Sequence, residues 1–252
     1  MKQRGFTLVE MILTVVILGI LMVGSAGFLR SGTEGFVQSV ERQKLHTQAQ
    51  FILEKISREI RHAIPNSFTI SDAGHCIEFY PIKYSGFYHL EDDTLPYSLS
   101  FFSGQSSVKT LGRYGANDFM VINPTSAGDI ATNQIDIANV AIDSNDSISQ
   151  VMLTTPLTSE SVSARHYIAD FPVKYCYLAP SSAQADFGTI VRRSPASDSV
   201  NQVTVADSVE ELVFQYHSAT LVSGSVIHLA LSLGYNTEVA IYEQDIQVLN
   251  VP

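Results

Sequence analysis

The chain has 252 residues, with 25 acidic against 15 basic side chains, a formal net charge of −10 and no tryptophan. This acidic balance, without a basic cluster or aromatics interleaved with Lys or Arg, argues against nucleic-acid binding. The length allows one large domain or two small ones, and the apolar residues are concentrated at the N-terminus.

The first five residues form a short leader containing Lys2 and Arg4. From Phe6 to Leu29 the only charged side chain is Glu10. As a helix this stretch measures roughly 36 Å, long enough to cross a bilayer with some tilt. Nothing else in the chain approaches that length, so the expectation is a single span. The basic leader places the N-terminus in the cytoplasm and the remainder on the far side. An alternative is a cleaved secretory signal, with Gly24-Ser25-Ala26-Gly27 imitating its small-residue site. A carboxylate in hydrocarbon costs a few kcal/mol unless it is paired, so Glu10 needs a partner.

Beyond Arg30, glycines at 32 and 35 follow those at 24 and 27 and weaken any helix there, each by roughly 1 kcal/mol relative to Ala. Leu45, Ala49, Ile52, Ile56, Ile60 and Ala63 then make one apolar stripe at helical spacing, ended by Pro65 and Asn66. The simplest drawing is one long helix from Phe6 to about Ile64.

From Ser67 the texture changes to short β runs. Strands are predicted at 76–81, 98–102, 119–123, 134–137, 149–153, 173–178, 189–192, 212–216, 226–233 and 239–248. In the last of these the apolar parity slips from Val239 and Ile241 to Ile246 and Val248, which predicts a bulge near Glu243–Asp245. Two stretches rich in Ser, Asn and Asp, 139–150 and 180–202, read as surface loops.

Both cysteines, Cys76 and Cys176, follow the apolar run and in an oxidising compartment read as one disulfide. It would close a loop of about 100 residues, worth up to ~4.7 kcal/mol in the chain-entropy model. Two buried thiols are the alternative. Five aromatics, Tyr80, Tyr84, Phe87, Tyr88 and Tyr97, crowd one region and could form an adhesive or subunit-binding surface. The acidic groups Glu91-Asp92-Asp93 and Asp143-Ser144-Asn145-Asp146 could in principle hold Ca²⁺, although acidic surface turns are commoner. The seven histidines, at 46, 62, 75, 89, 166, 217 and 228, show no ligand spacing and read as solvated or hydrogen-bonded. No HExxH, GxSxG, P-loop or dinucleotide pattern occurs, so neither a metal, a cofactor nor catalysis is expected.

The N-terminus, Met-Lys-Gln-Arg-Gly followed by Phe6-Thr7-Leu8-Val9-Glu10 and the apolar run, resembles the class III signal of type IV pilins and pseudopilins. The resemblance implies cleavage by a prepilin peptidase between Gly5 and Phe6 and N-methylation of Phe6. It also implies that Glu10 meets the N-terminal amine of a neighbouring subunit during docking. "CIEFYPIKYSGFY", "YIADFPVKYCYL" and the ending "QDIQVLNVP" look like minor pilins of mannose-sensitive haemagglutinin (MSHA) pilus systems. "SVEELVFQYH", 208–217, looks like the J-type minor pseudopilins of type II secretion. The expectation is therefore an α+β chain: leader 1–5, transmembrane helix 6–29, amphipathic continuation 30–64, and a periplasmic β-rich domain 65–252 packed beneath the helix. By resemblance it would be an inner-membrane precursor that later enters a pilus near its tip, priming or capping the filament. Its partners would be other minor and major pilins and the inner-membrane assembly platform. A pilus-tip adhesin is the further alternative.

Overall fold

The computed structural model describes residues 5–91, 95–104, 112–143, 148–180, 186–196, 198, 200, 202–218, 225–235 and 238–248. One helix, α1 (Leu8–Arg61), runs without interruption through the glycines at 19, 24, 27, 32 and 35. The boundary between two compact units falls inside it, between Thr47 and Gln48. The expected α+β architecture is present: a long N-terminal helix, then antiparallel sheets.

Thirteen strands are seen among the described residues. They are β1 (Thr69–Ser71), β2 (Cys76–Phe79), β3 (Tyr84–Leu90), β4 (Tyr97–Ser103), β5 (Phe119–Val121), β6 (Ile135–Asp136), β7 (Ile148–Leu153) and β8 (Arg165–Ala169). The remainder are β9 (Val173–Leu178), β10 (Gly188–Arg193), β11 (Gln202–His217), β12 (Val226–Tyr235) and β13 (Glu238–Gln247). They build a seven-stranded sheet, β1-β2-β9-β10-β11-β12-β13, and a six-stranded sheet, β6-β5-β8-β3-β4-β7. A short helix, α2 (Ala127–Thr132), links β5 to β6.

In the second unit the helical stripe is buried as its spacing predicts, with Ala49, Ile52, Ile56 and Ile60 all at 0% exposure. Polar bonds tie the same helix to the large sheet. Ser57 Oγ donates to Gln244 Oε1 at 3.0 Å, Gln48 Nε2 to the Asp207 carbonyl at 2.7 Å, and Arg192 Nε to Glu59. Gln244 pairs with Leu229, and Leu229 with Phe214, so these residues share the face that α1 covers. Ile227, Leu229, Leu231 and Leu233 are fully buried there, as period-two alternation demands.

β13 corrects one expectation. It pairs with β12 in unbroken register from Tyr235↔Glu238 to Val226↔Gln247, with no bulge at Glu243–Asp245. Val239 and Ile241 simply point outward, 51% and 70% exposed, while Ile246 points in. Val239 and Ile241 lie on the sheet face that α1 leaves uncovered, and apolar parity alone does not say which face is covered. The irregularity lies in β11 instead, where the pairing shifts between Val209 and Glu211 and Ser208 adopts φ 59°.

Within 180–202 the strand predicted at 189–192 is present as β10. The other expected loop is partly corrected, because Ile142, within 139–150, is buried against the small sheet. β1, β3 and β8 were not foreseen as strands. Neither was α2, although Ser126 and Asp129 form a reciprocal capping box at its start.

The small sheet packs its own core, including Tyr88, Leu99, Phe101, Met120 and Ile168. Lys83, just before β3, lies at the end of the link from the large sheet. Its Nζ donates to Asp118 Oδ1 at 2.6 Å and to Asp170 Oδ2 at 3.3 Å. Burial works against the ammonium, but the hydrogen bond and charge of Asp118, then Asp170, outweigh it and raise its pKa above the ordinary lysine value.

Candidate functional site

Gly5, Phe6 and Glu10 stand at the start of α1, all exposed. The helix begins where it does because Thr7 caps it. The Glu10 amide donates to Thr7 Oγ1 at 3.3 Å and to the Thr7 carbonyl at 3.1 Å, and the Met11 amide donates to the same carbonyl. Thr7 is thus the N-cap and Glu10 the third helical residue, in the T-x-x-E spacing of a capping box. This role for Thr7 was missed in the sequence, although the spacing was there to read. Phe6 occupies the position before the cap, so cleavage after Gly5 would leave a free amine one residue outside the first turn. Glu10 also lies in that turn, where the macrodipole favours a carboxylate.

Among the described residues no cation pairs with the Glu10 carboxylate. The side chains around it are apolar and open: Phe6 is 80% exposed, Leu8 76%, Val9 73% and Met11 67%. From Leu8 the helix holds an 18-residue window of mean hydropathy 2.5, none of it buried. Thr14 and Ser25 return their hydroxyls to backbone carbonyls at 2.9 and 2.7 Å, which removes two polar groups from an otherwise apolar surface. Among the described residues the first ion pair is Arg30–Glu34, at 3.0 Å, so the charged region begins after a capped apolar length of roughly 33 Å. By length and composition this one helix could span a bilayer.

The expected disulfide is formed. Cys76 and Cys176 are direct partners on β2 and β9, with Cα atoms 4.2 Å apart and their sulfurs bonded. The aromatic region is corrected: Tyr88 is buried, and Tyr80, Tyr84 and Tyr97 pack partly against the cores. Only Phe87 faces out, because neighbours on one strand alternate sides. Of the acidic groups considered for calcium, Asp92, Asp93, Ser144, Asn145 and Asp146 lie outside the described residues. Glu91 accepts hydrogen bonds from Ser100 Oγ and Gln150 Nε2. Among the described residues no three His, Cys, Asp or Glu side chains are grouped to hold a metal ion.

Two histidines behave as expected: His75 Nδ1 donates to the Leu212 carbonyl at 2.9 Å, and His228 Nδ1 lies 2.7 Å from Asp245 Oδ1. His166 is also hydrogen-bonded, but it differs in lying wholly inside the protein. It is fully buried in the small sheet, its Nε2 3.5 Å from Ser103 Oγ, and burial lowers its pKa to about 4, against a smaller opposing effect of the Phe87 backbone.

Residues 1–26 match the family model described as the prokaryotic N-terminal methylation motif, the prepilin-type signal of type IV pilin-like proteins. The motif implies processing by a prepilin peptidase and interaction with pilins. No curated protein and no solved structure gives a significant match to the chain.

Proposed function

We propose that this chain is a minor pilin, of the MshO type found in MSHA pilus systems, that primes or caps a filament near its tip. The observation that carries the reading is the methylation motif at residues 1–26 standing directly before an exposed, Thr7-capped apolar helix. Prepilin peptidase cuts between Gly5 and Phe6 and the new Phe6 amine is methylated. The anchor remains, because the cut precedes the apolar run. The chain waits in the inner membrane with its β-rich part in the periplasm until the assembly platform draws it into the pilus among major and other minor pilins.

Glu10 supplies the selection rule for docking. In hydrocarbon or between packed helices the effective dielectric is low, so a carboxylate without a counter-charge is strongly disfavoured. An incoming Glu10 is accepted where it meets the positive amine of a subunit already in place, which sets the axial register. The role is structural, and no catalytic step belongs to it.

Intact-mass and N-terminal sequencing of the full chain, co-expressed with a prepilin peptidase, tests this. The expected product starts at Phe6 and carries one methyl group. An N-terminus near Gly27, or an uncut chain, overturns the reading. A second reading, a J-type minor pseudopilin of type II secretion, is favoured by the 208–217 likeness, which falls on β11. Deletion of the gene separates the two: loss of piliation supports the pilus reading, and loss of exoprotein release supports the secretion reading.

A further inference from the structure

On the face of the seven-stranded sheet away from α1, the middle of β12 presents the small side chains of Ala230 and Ser232, between His228 on one side and Gly234, against which Phe187 packs, on the other. Taller neighbours flank it. The register sets Glu211, Ser232 and Ile241 in one row and Val213, Ala230 and Glu243 in the next. A groove therefore runs along β12, with Ala230 and Ser232 as its floor and Ile241 on the β13 side.

The opposite bank is held in place by the protein itself. The pairing shift in β11 breaks the regular ladder there, and the Glu210 carbonyl accepts a hydrogen bond from Tyr177 Oη at 2.7 Å. His75 donates to the next carbonyl but one, that of Leu212, and its ring lies 5.6 Å from that of Tyr177. Gly74 lets this wall sit close to β11: at φ +99° its missing side chain leaves room for Val213, which a Cβ would meet at 3.2 Å. Ser232 Oγ donates to Glu210 Oε2 at 2.6 Å and holds that carboxylate over the floor.

These bonds leave the groove with a one-sided chemistry. The hydroxyl protons of Ser232 and Tyr177 and the Nδ1 proton of His75 are all used within the protein. The Glu210 and Glu211 carboxylates retain acceptor capacity, since each offers about four lone-pair positions. A ligand here must therefore bring donors. The charge pattern points the same way: after Arg193 the sequence contains no Lys or Arg, but seven acidic residues. Beside the groove, β13 ends the sheet order and carries the exposed apolar Val239 and Ile241.

We propose that this groove docks an extended Lys- or Arg-bearing segment of another protein. The cation meets Glu210 and Glu211, its aliphatic stem lies on Ile241, and the segment runs alongside β13. The inference concerns the β-rich part of the chain and does not depend on processing at Gly5.

The test uses the purified full chain in detergent micelles and fluorescence anisotropy with a labelled, acetylated Lys-Val decapeptide repeat, as long as β13. Saturable one-to-one binding is expected, weakened at least tenfold between 50 and 300 mM salt, as follows for screened charges. E210Q/E211Q should weaken it at least tenfold, and A230F, which fills the floor without changing charge, should abolish it. E160Q/D136N, removing the same charge elsewhere, should leave it intact. Equal affinity for the matching Glu-Val repeat, or no effect of E210Q/E211Q, overturns the proposal. So does saturable binding of a neutral oligosaccharide that is lost in E210Q/E211Q, which would make this a sugar site. Dimerisation of the chain that is abolished by E210Q/E211Q would assign the groove to a second copy and overturn it as well.

Discussion

Glu59 on α1 and Arg192 on β10 meet at the helix–sheet interface, with Arg192 Nε 2.9 Å from Glu59 Oε2 and 3.2 Å from Oε1. Their side chains are 24% and 28% exposed, and the Arg192 guanidinium also stands 6.0 Å from the centre of the Tyr175 ring. Together with the Ser57–Gln244 and Gln48–Asp207 bonds, the pair fixes where the helix lies on a largely apolar sheet face. Burial, then the Glu59 carboxylate, push the Tyr175 phenol up, so it stays neutral beside the pair.

Glu59→Gln leaves the half-buried guanidinium without its counter-charge. The expected loss is about 1–3 kcal/mol, the range for a charged hydrogen bond in partly buried surroundings. Urea unfolding should show a lower midpoint with an unchanged slope. Glu59→Leu combined with Arg192→Met should recover part of the loss, because no buried charge is then left unpaired.

The Cys76–Cys176 bond joins residues 100 apart in the chain and ties β2 to β9 in the interior of the sheet order. Cys76→Ser with Cys176→Ser should cost about 2–5 kcal/mol. Reductant should lower the thermal midpoint of the native protein and leave that of the double variant where it is.

His166 makes the small sheet acid-sensitive. Its pKa falls from the ordinary 6.5 to about 4 in the folded chain, so only the unfolded chain takes up a proton between those values. The stability it permits is complete above pH 6.5 and is lost progressively as the pH falls to about 4, a loss of about 3 kcal/mol. Unfolding midpoints at pH 7.5 and 4.5 should converge in His166→Leu relative to the native chain. An equal acid loss in both proteins would assign the effect to carboxylates instead.

Glu10→Ala tests the docking rule separately from processing. The variant should still be cut before Phe6 and remain in the membrane, because the cut and the apolar run are untouched. It should be missing from sheared pili, as measured by immunoblotting against the native chain.

The helix and its two surfaces were legible in the sequence because they depend on local spacing. The 4-3-4-4-3 apolar stripe ending at Ala63 needs only helical periodicity, and it is buried as written. The alternation from Ile227 to Leu233 reports one covered face in the same way. The motif around Gly5, Phe6 and Glu10 is local too, and Thr7 could have been added from its spacing to Glu10. The disulfide needed only the count of cysteines and their place beyond the apolar run.

The tertiary structure decided what depends on partners distant in the chain. Whether Val239 and Ile241 face core or solvent turns on the register of β13 with β12 and on which face of the sheet α1 covers, and sequence parity contains no such information. β3 was hidden because its aromatics divide between a core and an exposed face, and His166 looked like any polar residue until β8 turned it into the small sheet's interior. Burial is a property of neighbours, and those of His166 come from β3 and β4, 60 or more residues earlier. The groove along β12 arises in the same way: Ala230, Ser232, Tyr177, His75 and Glu210 become one surface only when four separate stretches of chain are brought side by side.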